Sequence, residues 1–432
     1  MANIIINPSP LIGTIKIPPS KSISHRAIIC AALSKGNSKI YNIQFSDDIL
    51  ATIKALELLG ATFIKKREYL QISGIFSQNN NTNKQNKIII DCNESGSTLR
   101  FLIPISLIFN NTTTFVGKGN LGSRPLSIFY EIFDSQNLQY TYIQNSLNLT
   151  VTGPLQPGHF KVKGNISSQF ITGLLFALPL LNGNSTITIT TKLESQSYID
   201  LTLNILNDFG IKILNKNYKE FVIKGNQTYN PYDYTIEGDY SSGAFFLSAM
   251  AMGHNINISN LKINSYQGDK EAIDILKKMG LTTTVKNNLI NTQTLKKLQA
   301  TTVNASNCPD VIPAISAVAS ISKGTTYIVN AARLRIKECD RLHAITTELN
   351  KLGANITQKS DSLKIDGVEQ LQGGVEVWSH KDHRIAMTLA IAATMCKEKV
   401  IIKDYECVSK SYPTFFEELK MLGGQVNEWC MG

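Results

Sequence analysis

Hydrophobic positions along the chain fall into two helical patterns that alternate. The first is amphipathic: an acid or serine, about three turns with apolar residues three and four apart, then glycine and a strand-like stretch. Five segments show it plainly: "DILATIKALELLGATF", "SYIDLTLNILNDFGIKI", "DKEAIDILKKMGLTTTV", "DRLHAITTELNKLGANI" and "YPTFFEELKMLGGQV". A sixth, "PLSIFYEIFDSQNLQYTY", has Asn137 where the others have Gly60, Gly210, Gly280, Gly353 and Gly423. These stop positions are separated by 77, 73, 70, 73 and 70 residues. Glycine or asparagine there is what a left-handed helix C-cap requires.

The second pattern is apolar on nearly every side. Its six copies begin at "SHRAIICAAL", "SGSTLRFLIPISLI", "SSQFITGLLFALPLL", "YSSGAFFLSAMAM", "PDVIPAISAVAS" and "DHRIAMTLAIAATM". A helix apolar all round is buried, so these six predict the centre of the protein. Repeats of this period predict pseudo-symmetric α/β units, each two helices with strands between them. Three units per domain place a division near residue 238. The "NNNTNKQNK" stretch over 79–87 reads as a solvated loop within the first unit.

Composition narrows the class. With 43% hydrophobic and 18% charged residues among 432, the chain is globular and long enough for two domains. "MANIIINPSP" lacks the build of a signal peptide, and the runs at 101–109 and 171–181 are too short to span a bilayer. Seven scattered cysteines without a Cys-x-x-Cys pair argue against a disulfide framework or structural zinc and predict a reducing cytoplasm. The net charge of +10 asks for an anionic partner.

The six buried helices open on polar residues. Their N-termini combine unpaired N–H groups with the positive end of the helix dipole, which suits phosphate and carboxylate. Ordinary N-capping would explain one such start, less easily the whole set. Basic and hydroxyl groups gather there: Lys21, Ser22, His25 and Arg26 in "PPSKSISHR"; Gly96 and Arg100 in "ESGSTLR"; Ser167, Ser168 and Gln169 in "SSQ"; and "GNLGSRP" places Arg124 in a Gly-rich loop before a helix. The second half adds Asp310 in "NCPD", Lys337, Glu338 and Arg341 in "RLRIKECDR", His383 and Arg384 in "KDHR", and Lys410 in "SKSYP". Cations holding a polyanion, with two embedded carboxylates able to move protons, predict chemistry on an anionic metabolite.

Other readings of single pieces are weaker. His380, Asp382 and His383 form a poor metal-ligand pattern, and no metal is expected. Carboxylates flank Cys339, which raises a thiol's pKa and disfavours it as a nucleophile. Asp47 and Asp48 read as a helix cap. No Walker loop or dinucleotide fingerprint occurs, so ATP and NAD are disfavoured. The cations are spread among helix starts without a basic tract or interleaved aromatics, which argues against nucleic acid.

Together these motifs resemble the 5-enolpyruvylshikimate-3-phosphate synthase family of enolpyruvyl transferases. The likeness runs in order through "PPSKSISHRAIICAALSKG", "SGSTLR", "SRPL", "SSQFITGLL", "SYIDLT", "RIKECDRL", "DHRIAM" and "SKSYPTFFEEL". The resemblance implies an α/β fold: a two-domain inside-out α/β barrel, each domain three repeated βαβαββ-type units around parallel helices. It assigns residues 1–20 and 238–432 to one domain and 21–237 to the other, with the active site in the cleft between them. The N-terminal strand, about residues 1–20, is expected to return to the second half. Implied too are a cytoplasmic monomer, no cofactor, no membrane, and two small anionic substrates, phosphoenolpyruvate and shikimate 3-phosphate.

By the same resemblance, Lys21, Gly96, Arg124, Gln169, Arg341, Arg384 and Lys410 surround phosphoenolpyruvate. Ser22, Arg26, Ser167, Ser168, Gln169, Ser195, Asp310 and Lys337 hold shikimate 3-phosphate, with Tyr198 near its ring. Asp310, Glu338 and Lys21 share the proton transfers, Asp310 taking the hydroxyl proton. Glu94 and Ser97 stand where many members have Asn and Thr, Arg333 where some have Asn, and Phe101 where proline is frequent. The sister family, which transfers enolpyruvyl to UDP-N-acetylglucosamine, is the alternative. It has Lys-Asn where this chain has Lys21-Ser22, and a loop cysteine where this chain has Gly119. A small-anion binder without activity is a third reading, which the retained Lys21, Asp310 and Glu338 oppose.

Overall fold

The computed structural model describes residues 2–77, 87–143, 146–286, 289–295 and 297–429. The loop read over 79–87 lies, apart from Lys87, outside them. The chain forms two compact units, one of Met1–Ser20 with Glu237–Gly432 and the other of Lys21–Ile236.

Both helical patterns appear where the periodicity places them. The amphipathic set is α2 (Asp47–Leu58), α4 (Ser127–Ser135), α6 (Gln196–Asp208), α8 (Glu271–Lys278), α10 (Arg341–Lys351) and α12 (Phe415–Met421). All six stop residues adopt positive φ, from 53° at Asn137 to 115° at Gly280. The apolar set is α1 (Lys21–Ala32), α3 (Gly96–Ser106), α5 (Ser168–Ala177), α7 (Tyr240–Ala251), α9 (Ile312–Ser320) and α11 (His383–Ala393). Every residue of α7, α9 and α11 is buried. In the other three, only Lys21 and Ser22 of α1, Ser97 of α3 and Gln169 of α5 keep partial exposure. These helices therefore meet solvent at their starts alone.

Each repeat adds a four-stranded sheet. In one, strands His159–Val162 and Ser185–Ile189 run parallel, joined by α5, and Glu220–Ile223 and Ile213–Lys216 complete it antiparallel. Phe160 and Val162 face the core while His159 and Lys161 face water, the period of two expected of a half-buried strand. The N-terminal segment supplies two strands, not one. Asn3–Asn7 inserts between Val400–Lys403 and Gln425–Trp429, and Ile12–Lys16 pairs parallel with Asn255–Ser259. Both complete sheets whose other strands come from the Glu237–Gly432 segment. Among the described residues no helix is long and apolar enough to cross a membrane.

Candidate active site

In the Lys21–Ile236 unit the starts of α1, α3 and α5 carry the predicted residues. Lys21 opens α1, and its Nζ donates to Asp48 Oδ2 at 2.8 Å. Asp48 sits in the first turn of α2 behind the cap residue Ser46, so the Asp47–Asp48 pair read as a cap provides an ion-pair partner instead. Thr98 Oγ1 of α3 lies 3.4 Å from the Asp48 carbonyl and 2.7 Å from Ser95 Oγ. A polar seam thus ties three helix starts together.

Helix α1 begins at Lys21, earlier than "SHRAIICAAL" suggested, and this moves His25 into the core. His25 is fully buried, with Nδ1 2.8 Å from Thr52 Oγ1. Burial, aided by the Lys21 and Arg26 charges and opposed by Asp48, lowers its pKa to about 3, so it is neutral and structural. Arg26 is buried too, donating to Thr202 Oγ1 at 2.8 Å and the Ser22 carbonyl at 2.7 Å. Its guanidinium lies 5.3 Å over Phe101, and burial lowers its pKa to about 10.

Ser95 caps α3, and Gly96 opens it. The Arg124 guanidinium lies over Gly96, where a Cβ would stand 2.6 Å from Nη1. Arg100, a turn further on, donates to Gln169 Oε1 at 2.8 Å and to the Pro125 carbonyl at 3.1 Å. Gln169 Nε2 in turn donates to Ser97 Oγ at 2.9 Å. Arg100 and Ser97 therefore fix both Gln169 and the loop bearing Arg124. Ser167 caps α5, accepting from Gln169 N–H at 3.3 Å, with Ser168 buried behind it. Ser195 precedes α6 with φ 56°, and the Tyr198 carbonyl accepts from Arg26 Nη2 at 3.3 Å.

The other unit gathers the remaining residues about Asp310, which stands two residues ahead of α9. Asp310 Oδ1 accepts from Arg341 Nη1 at 2.7 Å and Lys337 Nζ at 3.3 Å. Its Oδ2 lies 3.5 Å from Arg384 Nη2. Burial disfavours the charge, but Arg384, Lys337 and Arg341 outweigh it and hold this carboxyl well below the usual range. Burial conversely lowers the Lys337 ammonium, against the pull of Asp310.

Arg341 opens α10 and is enclosed by carboxylates. Besides Asp310 it reaches Glu338 Oε2 at 2.8 Å and Asp382 Oδ2 at 2.8 Å. Asp382 also caps α11 by accepting from Arg384 N–H at 2.8 Å. The weak metal pattern at 380–383 is thus spent on other work: Asp382 serves Arg341, and His380 Nε2 donates to Glu348. Among the described residues no His, Cys, Asp and Glu cluster fit for a metal occurs. Burial first, then Asp382 and, of the two flanking acids, Glu338 raise the Cys339 thiol. Lys410 is buried at the end of a 3-10 turn, Tyr405–Lys410, and Arg333 is half-buried.

Sequence reading missed Asp48 and Asp382 as partners of site cations. Both sit at helix starts, but their pairing joins residues 27 and 41 positions apart that no local pattern connects.

Comparisons with known proteins show the family of the chain. Residues 5–419 match the EPSP synthase (3-phosphoshikimate 1-carboxyvinyltransferase) family. The chain is 60% identical to the 3-phosphoshikimate 1-carboxyvinyltransferase of Clostridioides difficile (strain 630) and 58% to that of Clostridium beijerinckii, each alignment covering the whole of both chains. Among solved structures it is similar to an EPSP synthase from Acinetobacter baumannii, with TM-score 0.83 and 23% identity over the full length of both.

Proposed function

The chain belongs to the EPSP synthase family, and from that premise we propose that it moves the enolpyruvyl group of phosphoenolpyruvate onto the 5-hydroxyl of shikimate 3-phosphate. Phosphate is released, and the step serves the shikimate route to chorismate and the aromatic amino acids. UDP-N-acetylglucosamine as acceptor is not favoured, because the family matched is the shikimate one.

Lys21, Gly96, Arg124, Gln169, Arg341, Arg384 and Lys410 hold phosphoenolpyruvate. Each charge-assisted hydrogen bond to its phosphate or carboxylate contributes about 1.5–3 kcal/mol. Ser22, Arg26, Ser167, Ser168, Gln169, Ser195, Asp310 and Lys337 hold shikimate 3-phosphate. Asp310 takes the hydroxyl proton as the 5-oxygen attacks C2 of phosphoenolpyruvate, while a proton is delivered to C3, which becomes a methyl group. The tetrahedral adduct then loses phosphate and a methyl proton, restoring the C=C bond. Lys21 and Glu338 share the delivery and removal of that proton. Acid–base groups suffice for these steps, so the reaction as written needs no cofactor.

The observation that carries this reading is the Asp310 carboxylate between Arg384, Lys337 and Arg341. Three cations make it a weak base. When the anionic substrates draw on those cations, its proton affinity rises at the moment a base is required. A cytoplasmic monomer completes the proposal; the scattered cysteines support the location, and one chain supplies every group named here.

Phosphate release from phosphoenolpyruvate, without added metal or nucleotide, is the test. Release requiring shikimate 3-phosphate and giving the enolpyruvyl ether is expected. Release with UDP-N-acetylglucosamine alone, or with neither acceptor, would overturn the assignment.

A further inference from the structure

Glu348 stands seven residues after Arg341 on α10, and its carboxylate is buried. It accepts from Lys351 Nζ at 2.8 Å, Trp378 N–H at 2.9 Å and His380 Nε2 at 3.0 Å. Two of these donors belong to the segment that runs into α11. Consecutive residues there, His380 and Lys381, adopt φ of 51° and 54°, the left-handed region that side chains other than glycine seldom occupy twice running. Such backbone persists only where its surroundings over-determine it.

The surroundings do so here. The Trp378 indole lies 4.2 Å from the His380 ring and donates Nε1 to Asp404 at 2.9 Å. Ser379 Oγ donates to the Asp404 carbonyl at 3.0 Å, and Lys381 N–H donates to Ser379 Oγ at 3.1 Å. The next residue is Asp382, which binds Arg341 Nε and caps the helix that carries Arg384. A closed circuit results: Glu348, the 378–381 turn, Asp382, Arg341, and back along α10. Burial alone would favour a neutral Glu348, but the His380, Lys351 and Trp378 donors prevail and keep it charged. All three partners are donors, so an amide in its place would set an N–H against one of them.

We propose that Glu348, with His380, is a positioning residue for phosphoenolpyruvate: it fixes the left-handed turn through which Asp382 holds Arg341 and Arg384 in register. The inference rests on the reading that Arg341 and Arg384 take this substrate.

The test compares Glu348→Gln, His380→Ala and His380→Gln with Arg384→Lys, measuring kcat, KM for each substrate and the thermal midpoint. Glu348→Gln and His380→Ala are expected to raise KM for phosphoenolpyruvate about tenfold, since small misplacements of binding groups are costly. KM for shikimate 3-phosphate is expected to rise less, because these changes reach it only through the contacts of the two arginines with Asp310. His380→Gln, which keeps a donor towards Glu348, is expected to recover most of the loss. Equal shifts in both KM values, no shift in either, or no recovery in His380→Gln would overturn the positioning role. If Glu348→Gln does not fold, the two His380 variants still decide. An unchanged KM for phosphoenolpyruvate in Arg384→Lys would instead overturn the reading of Arg384. A raised one there with no change in the other variants would remove the positioning role alone.

Discussion

A Cβ atom added at Gly96 would stand 2.6 Å from Arg124 Nη1 and 2.9 Å from its Cζ. The obstacle is the far end of a flexible side chain, so the fold can yield while the guanidinium moves. Gly96→Ala is therefore expected to leave the thermal midpoint nearly unchanged and to raise KM for phosphoenolpyruvate by about tenfold; steady-state kinetics checks it. Lys21 differs because, besides the substrate role proposed for it, it forms an ion pair with Asp48. Lys21→Met is expected to lower kcat by about 10²–10⁴-fold, the range of a lost acid–base group. It also removes one partner from a buried carboxylate, so the unfolding midpoint should fall, and the double change with Asp48→Asn should recover midpoint but not kcat. The helix-start positions of Lys21 and Gln169 were legible because such starts announce themselves through local residue type. Their supports, Asp48, Arg100 and Ser97, matter through contacts between different helices, and a single chain read in order does not display those.

At the scale of elements, the repeat was the most legible feature, for a physical reason. A helix that stops in a left-handed residue followed by a strand needs Gly or Asn at one place, and six such places recur at nearly one interval. At Gly60, with φ 107°, an added Cβ would meet nothing nearer than Ile75 Cγ2 at 3.8 Å. Gly60→Ala therefore isolates backbone strain from crowding, and a loss of about 1–2 kcal/mol is expected by urea denaturation, with activity retained. At Gly173 the reverse holds: an added Cβ would stand 2.3 Å from the Arg100 carbonyl where α5 crosses α3. There backbone must move, so Gly173→Ala should cost stability and disturb the Arg100–Gln169 contact together. Helix boundaries were less legible. The apolar run suggested a start at Ser24, whereas α1 begins at Lys21 and His25 packs against Phe101 and Thr52.

For the molecule as a whole, each unit contains a buried neutral histidine. Burial lowers the pKa of His25 in one to about 3 and of His254 in the other to about 4. Because both folded values lie below the ordinary 6.5, the unfolded chain takes up these protons first as pH falls. Their contribution to stability is full above pH 6.5 and declines below it, to about pH 4 for His254 and about pH 3 for His25. Each is expected to lower unfolding free energy by about 1.4 kcal/mol per pH unit within its window. Urea midpoints that fall between pH 7 and pH 5 in the wild type, and fall less in His25→Gln, are the expected result. A midpoint insensitive to pH in that range would contradict this, since it requires these rings to titrate alike in the folded and unfolded chain.

The chemistry itself is tested most directly by running the reaction in D2O and examining the methylene group of the enolpyruvyl product by proton NMR. Addition followed by elimination passes C3 through a methyl group that gains one solvent proton and gives one back. Deuterium in the product methylene, with phosphate released in equal amount, is therefore expected. A product whose methylene carries only the original protons, formed at the full rate, would contradict a tetrahedral adduct and the proton roles given to Lys21 and Glu338.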